Sequence, residues 1–329
     1  VKLGQRVGET NPGRKRRRNE DAYVCDPPLF AVADGMGGAQ AGEVASSLAA
    51  AALKERGEDD GGGEERVAEL IQEANRRVHQ RAVDDESASG MGTTMTIALF
   101  HPDGSVSIGH VGDSRAYLHR DGRLEQLTDD HSLVAELVRR GELSPEEAEV
   151  HPQRSVITRA LGTDPDVDVD TFTVQAAEGD LFLLCSDGLT TMVDGETIAA
   201  VVDRNRHDLH AAVRALIREA NERGGDDNIT AVLFEVAEGD PDNETVESAA
   251  VEPDEEDTLH PEPSRELVEG DTSIVTVDEI RSALAAEVAD EKVEDDEPHA
   301  SIGQRVLAAI LIVALAVLIV VLVVEGLAR

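Results

Sequence analysis

Thr94–Arg123 reads TMTIALFHPDGSVSIGHVGDSRAYLHRDGR, and its punctuation decides the architecture. Three runs of apolar and β-branched residues, Thr94–Phe100, Ser105–Val111 and Arg115–His119, are separated only by His101-Pro102-Asp103-Gly104 and Gly112-Asp113-Ser114. Arg120-Asp121-Gly122-Arg123 closes the third. His101–Gly104 and Arg120–Arg123, short and made of Gly and Asp, are hairpin-type connections and join strands that run in opposite directions, because a parallel pair needs a crossover of about a dozen residues or more. Outward from this core, Leu29–Ala33, Asp180–Cys185 and Ile229–Val236 carry the same strand signal. Gly42–Glu55, Glu64–Val83, Leu133–Arg140 and Leu209–Arg223 show helical periodicity. The helices come as long separate pieces and do not alternate with single strands. The expected class is therefore α+β with antiparallel sheet, not a doubly wound parallel fold.

Composition divides the chain. Of its 329 residues 40% are hydrophobic but only 2% aromatic, with no Trp, so the core must be built from Val, Leu, Ile and Ala. The net charge of −38 is unevenly spread: residues 1–236 hold 44 Asp/Glu against 25 Lys/Arg, whereas 237–300 hold 23 against 3. The first part reads as a folded domain over 1–236, the second as an acidic, disordered linker over 237–304. So negative a chain repels a phosphate backbone, and no nucleic acid is expected among its partners. Val306–Val324, VLAAILIVALAVLIVVLVV, then runs 19 residues without a polar side chain. At ~1.5 Å per residue it nearly matches the ~30 Å hydrocarbon core of a bilayer. A single transmembrane helix over 305–325, followed by a short tail over 326–329, is the expectation. Arg305 and Arg329 flank it evenly and leave sidedness unset by charge. Two cysteines, Cys25 and Cys185, make no disulfide framework, and no apolar leader resembling a signal peptide opens the chain. The domain is thus expected on the cytoplasmic side of the cell membrane.

Four acidic residues recur beside glycine at the ends of apolar runs. They stand in Phe30–Gly38 (FAVADGMGG), Ile108–Arg115 (IGHVGDSR), Leu183–Gly188 (LLCSDG) and Gly224–Thr230 (GGDDNIT). An Asp at a strand end is held by the sheet yet faces solvent, and a neighbouring Gly lets backbone or ligand approach. One Asp-Gly alone is only a turn. Several converging carboxylates, without thiolates or paired His, suit hard cations with oxygen ligands: Mg²⁺ or Mn²⁺. Neither HExxH nor Cys-x-x-Cys is present for zinc. A cysteine-dependent phosphatase would need Arg six positions after its Cys, where this chain has Ala31 and Thr191. His110, His131 and His151 read first as structural, with a flap or substrate role as the alternative.

These segments, with Arg16–Asp21 (RRRNED), Gly92–Thr94 (GTT), Ser186–Leu189 (SDGL), Asp227–Thr230 (DNIT) and His151–Gly162 (HPQRSVITRALG), resemble the metal-dependent protein phosphatases of the protein phosphatase 2C type, in their bacterial form. The resemblance covers roughly residues 4–236. It implies a four-layer α/β/β/α sandwich of two central antiparallel sheets, and hydrolysis of phosphoserine and phosphothreonine in proteins. It further implies that Asp34 bridges two metal ions, Mn²⁺ or Mg²⁺, and that the Gly35 carbonyl joins the second. Asp187 and Asp227 would complete the first, Glu20 and Asp21 would act through waters, and a third ion would lie near Asp113 and Asp187. Arg16 would grip the substrate phosphate, where its planar fork binds oxygens two at a time, while its basic neighbours attract acidic phosphopeptides. Asp227 is preferred to Asp226 because it directly precedes Asn228. Met36 stands where many eukaryotic members carry His, and Met cannot donate a proton to the leaving oxygen. The segment Asp130–Leu161 would hold the family's flap. Implied partners are phosphorylated proteins, including a Ser/Thr protein kinase, and the lipid bilayer. The reading from another class is a catalytically inactive relative that serves as a membrane-tethered phosphoprotein scaffold. Loss of metal carboxylates would mark it, and none is lost here.

Overall fold

Strands whose side chains are buried on both faces explain why Leu29–Ala33 and Leu181–Cys185 are continuously apolar instead of alternating. In the computed structural model, which describes residues 1–37, 41–55, 62–239 and 273–274, the strands are β1 (Lys2–Asn11), β2 (Asp21–Asp26), β3 (Leu29–Met36), β4 (Gly92–Thr93), β5 (Met95–Phe100), β6 (Ser105–Val111), β7 (Arg115–Arg120), β8 (Arg123–Gln126), β9 (Val156–Ile157), β10 (Asp170–Gln175), β11 (Leu181–Cys185), β12 (Ile229–Ala237) and β13 (Ser273–Ile274). The helices are α1 (Ala41–Lys54), α2 (Glu64–Asp84), α3 (Leu133–Arg139), α4 (Pro145–Glu149), α5 (Asp187–Thr190), α6 (Gly195–Arg204) and α7 (Leu209–Glu222).

One antiparallel sheet has the order β1-β12-β11-β7-β8; the other runs β10-β6-β5-β3-β2, with β4 added beside the end of β3. Along β3, Leu29, Ala31 and Ala33 face α1 and α2, whereas Phe30 and Val32 face the opposite sheet. Along β11, Leu181, Leu183 and Cys185 face α6 and α7, whereas Phe182 and Leu184 point between the sheets. The period of two therefore feeds three apolar layers, and two sheets sandwiched by two helix pairs follow. Few aromatics suffice for the middle layer because they stack there: the Phe30 and Phe234 rings lie 4.1 Å apart and those of Phe182 and Phe234 5.1 Å apart.

The hairpins predicted at His101–Gly104 and Arg120–Arg123 are present, with β5 pairing β6 and β7 pairing β8. All four expected helices form within about two residues of their predicted ends. β3 extends past the predicted Ala33 to Met36, because Gly35 and Met36 pair with Thr93 and Gly92. Asp34 thus sits within a strand and not just beyond one. β1, β2, β8, β10 and α6 were not foreseen. β13, two residues of the stretch read as linker, pairs in parallel with β9.

Among the described residues no helix is long and apolar enough to cross a membrane. The segment Val306–Val324 lies outside the described residues, as does most of the acidic stretch before it.

Candidate active site

The β2–β3 ladder sets two acids face to face. Asp21 and Asp34 are register partners, so their side chains leave the same face of the sheet. Asp21 is buried, and Ser186 Oγ and Thr230 Oγ1 donate to its Oδ2 at 2.8 and 2.6 Å. Those hydroxyls arrive from the other sheet, since Ser186 follows β11 and Thr230 lies in β12. The cleft therefore lies where the ends of the two sheets meet. Asp187, first residue of α5, enters from the same side and interacts electrostatically with Asp34. Asp227 comes from the loop before β12.

Backbone geometry around Asp34 is closely held. Its N–H donates to Thr94 Oγ1 at 2.9 Å and its carbonyl accepts from Thr93 Oγ1 at 2.8 Å. Gly35 donates its N–H to the Glu20 carbonyl at 3.1 Å, and a Cβ at Gly35 would collide with the Gly42 and Glu20 carbonyl oxygens. Only glycine fits, which leaves the main chain itself as the surface there. Asn228 ties the basic loop to the site: its Nδ2 donates to the Pro12 and Arg18 carbonyls at 3.0 and 2.8 Å, and its Oδ1 accepts from Glu20 N–H at 2.8 Å. Held this way, Arg16 Nη2 lies 2.9 Å from Asp227 Oδ2. Asp226 turns outward and pairs with Lys15 at 2.8 Å.

Like charges crowd the cleft. Burial, then the charges of Asp187 and Asp227, lift the Asp21 carboxyl to about 7 against the help of its two hydroxyl donors. Burial, followed by Asp227, lifts Asp187 to about 6. Asp34 is pushed well above the usual carboxylate range by burial and by Asp21, Asp187, Asp227 and Asp113. Asp113, in the turn between β6 and β7, is raised by burial and by Asp187. Asp21 Oδ1 and Asp187 Oδ1 are buried with no hydrogen-bond partner among the described residues. A buried acceptor in that position costs free energy unless a cation or donor meets it. Among the described residues no three acidic, His or Cys side chains are already closed around a single ion position. Even so, oxygen donors that are mutually repelling and partly unsatisfied, with no sulfur and no imidazole among them, fit hard divalent cations.

Of the predicted residues, Asp21, Asp34, Asp187 and Asp227 are brought together, and Asp113 reaches them from the Asp187 side. Arg16 stands at the Asp227 edge, and Glu20 joins through its main chain. The sequence reading missed Ser186, Thr230, Thr94 and Asn228, which hold the acids and the loop. Each lies inside a motif quoted above; Ser186 and Asn228 stand directly beside an aspartate, which was the available signal, whereas Thr94 and Thr230 have neither an acid nor a glycine next to them.

The family model for protein phosphatase 2C matches residues 14–234. The chain is similar to the serine/threonine phosphatase stp of Listeria welshimeri serovar 6b, 42% identical over 237 residues, which are 69% of this chain and 93% of that one. Among solved structures, the Mycobacterium tuberculosis serine/threonine phosphatase PstP/Ppp matches with a TM-score of 0.68 and 38% identity, over 72% of this chain and all of that one. The catalytic domain of a serine/threonine protein phosphatase PstP in complex with two manganese ions matches with a TM-score of 0.64 and 36% identity, over 72% of this chain and 99% of that one.

Proposed function

The chain belongs to the protein phosphatase 2C family and acts as a protein serine/threonine phosphatase, and from that premise we propose how its residues divide the work. Metal dependence follows from membership in the family. The observation that carries the proposal is that Asp21 and Asp34, paired across β2 and β3, meet the other sheet through Ser186 and Thr230, next to Asp187, while Arg16 pairs with Asp227.

Asp34 would be shared between two ions, with Asp187 and Asp227 completing one position. The Gly35 carbonyl, Glu20 and Asp21 would serve the other, the two acids through water. Asp113 with Asp187 offers a third position. The donor chemistry suits Mg²⁺ and Mn²⁺ alike, and the manganese-bound relative favours Mn²⁺. When bound, such cations supply the acidity that makes water a nucleophile near neutral pH and the positive charge that offsets phosphate in an in-line displacement. The chain's own part is to hold and orient. Arg16 offers its planar fork to the phosphate oxygens. Ser186 and Thr230 fix the Asp21 carboxylate, and Thr93 and Thr94 fix the backbone of Asp34. Met36 is buried and carries no exchangeable proton, so it leaves protonation of the departing oxygen to water.

The substrates we propose are phosphoserine and phosphothreonine in proteins, among them a Ser/Thr kinase whose phosphorylation this enzyme reverses. The purified chain should release phosphate from a phosphothreonine peptide with Mn²⁺, and Arg16→Ala should raise KM for that peptide more than tenfold. An unchanged KM would remove Arg16 from the phosphate site. We also propose that Val306–Val324 anchors the chain in the cell membrane with the catalytic domain cytoplasmic. The full chain should then sediment with membranes and a chain lacking 305–325 should not. Equal partitioning of the two would overturn the anchor.

A further inference from the structure

The excursion between β8 and β10, which carries α3, α4 and β9, is fastened to the cleft at two walls. On one wall Met36, at the end of β3, packs with Ile157 and Ala160. On the other His131, buried, exchanges two hydrogen bonds with the turn that bears Asp113. His131 N–H donates to the Gly112 carbonyl at 2.8 Å, and Gly112 N–H donates to His131 Nδ1 at 3.0 Å. Since Nδ1 accepts, the ring proton resides on Nε2, which donates to Asp170 Oδ2 at 3.1 Å. Arg159 holds the other oxygen of Asp170 at 2.6 Å, and the His131 carbonyl accepts from Thr158 N–H at 2.9 Å. One residue therefore touches the Asp113 turn, the outgoing limb of the excursion, its returning limb, and the edge strand β10.

The turn it grips has little freedom. Gly112 has φ of 112°, and a side chain there would run into Thr94. Thr94 Oγ1 in turn accepts from Asp34 N–H and lies 2.7 Å from Ser114 Oγ. A buried polar chain thus runs from Asp34 through Thr94 and Ser114 to the Asp113 turn, and from there through His131 to the excursion.

We propose that His131 is a positioning residue that keeps the Asp130–Leu161 excursion in register with the Gly112–Asp113 turn, and so sets the wall against which a protein substrate lies. The role rests on the phosphatase reading above. It is separate from the chemistry, because His131 touches no residue assigned to hold a cation or phosphate. A small substrate such as p-nitrophenyl phosphate needs the cleft but not this wall; a phosphothreonine peptide needs both.

The test compares His131→Ala, His131→Asn and His131→Gln with the parent full-length chain. An Asn amide oxygen can take the place of Nδ1 and accept from Gly112, whereas a Gln amide can reach Asp170 but leaves Gly112 N–H unmet. In His131→Ala and His131→Gln, hydrogen exchange at the Gly112 amide should accelerate at least about tenfold. KM for the phosphothreonine peptide should rise about three- to tenfold, the scale of one buried hydrogen bond. At saturating Mn²⁺, kcat for p-nitrophenyl phosphate should stay within about twofold of the parent, and His131→Asn should recover both protection and KM. Faster exchange with unchanged peptide KM would overturn the positioning role. Equal losses on both substrates would overturn it as well, by making the residue a general support of the fold. If His131→Ala does not fold, Asn and Gln variants that behave alike overturn the proposal. A parent chain inactive on both substrates would defeat the phosphatase reading, while the exchange data would still report on the clamp.

Discussion

At Asp34 stability and chemistry pull in opposite directions. Its carboxyl is raised well above the ordinary range because burial and four neighbouring acids oppose its charge. Asn is nearly isosteric and cannot ionise. Asp34→Asn should therefore raise the thermal midpoint of the metal-free chain while lowering kcat for a phosphothreonine peptide by at least about a hundredfold, a scale seen when one preorganised charge-stabilising group is removed. Differential scanning fluorimetry in EDTA and a phosphate-release assay in Mn²⁺ check the two halves. Thr230→Val tests the support of Asp21. The variant loses a 2.6 Å donor to a buried carboxylate and should cost about 1–3 kcal/mol in urea unfolding at pH 8, with a smaller loss at pH 5, where Asp21 is largely protonated.

At the scale of elements, legibility followed burial. β5, β11 and β12 are buried along nearly their whole length, so their sequences are mainly apolar, interrupted only by Thr96, Thr230 and Glu235, and were readable. β1, KLGQRVGETN, is an edge strand whose only fully buried side chain is Val7, and no alternation betrays it. β10, DTFTVQ, is likewise an edge strand that is only partly covered. α6 is ten residues long, and its capping Asp194, which accepts from Thr197 N–H, was the one local sign of it. In the site, Asp34, Asp113 and Asp187 were legible because a glycine adjoins each, whereas Glu20 and Asp21 came only with the RRRNED resemblance. Ser186, Thr230 and Asn228 were not legible, because what they hold is 165, 209 and 208 residues away in sequence. The middle layer gives the clearest prediction for an element: Phe234 stacks on both Phe30 and Phe182. Phe234→Ala should cost about 3–5 kcal/mol in denaturant unfolding, and Phe234→Leu well under half of that.

For the whole molecule, the cleft makes stability depend on pH and on metal together. Asp21 and Asp187 move from 3.8 to about 7 and about 6, and Asp34 and Asp113 move the same way. With folded values above unfolded ones, the native metal-free chain binds more protons than the unfolded chain between about pH 4 and 7. Its stability should therefore fall as pH rises through that window. His110 works in the other direction. Burial and His131 push it down to about 3 from 6.5, so its contribution is present above pH 6.5 and is lost as pH falls toward 3. Four acids outweigh one histidine, and urea midpoints of the metal-free chain should decline from pH 5 to pH 8. Mn²⁺ at a hundred times its Kd should add about 2.7 kcal/mol, and at one fixed concentration of the ion the gain should be larger at the higher pH, where the acids are ionised.

The direct test of the central claim is phosphate release from a phosphothreonine peptide by the purified chain, measured with Mn²⁺, after EDTA, and after Mn²⁺ is restored. Turnover is expected with Mn²⁺, with its loss in EDTA, its return with the ion, and at least about a hundredfold less of it for Asp34→Asn whenever the ion is present. Turnover that persists in EDTA, or survives Asp34→Asn undiminished, would contradict the claim.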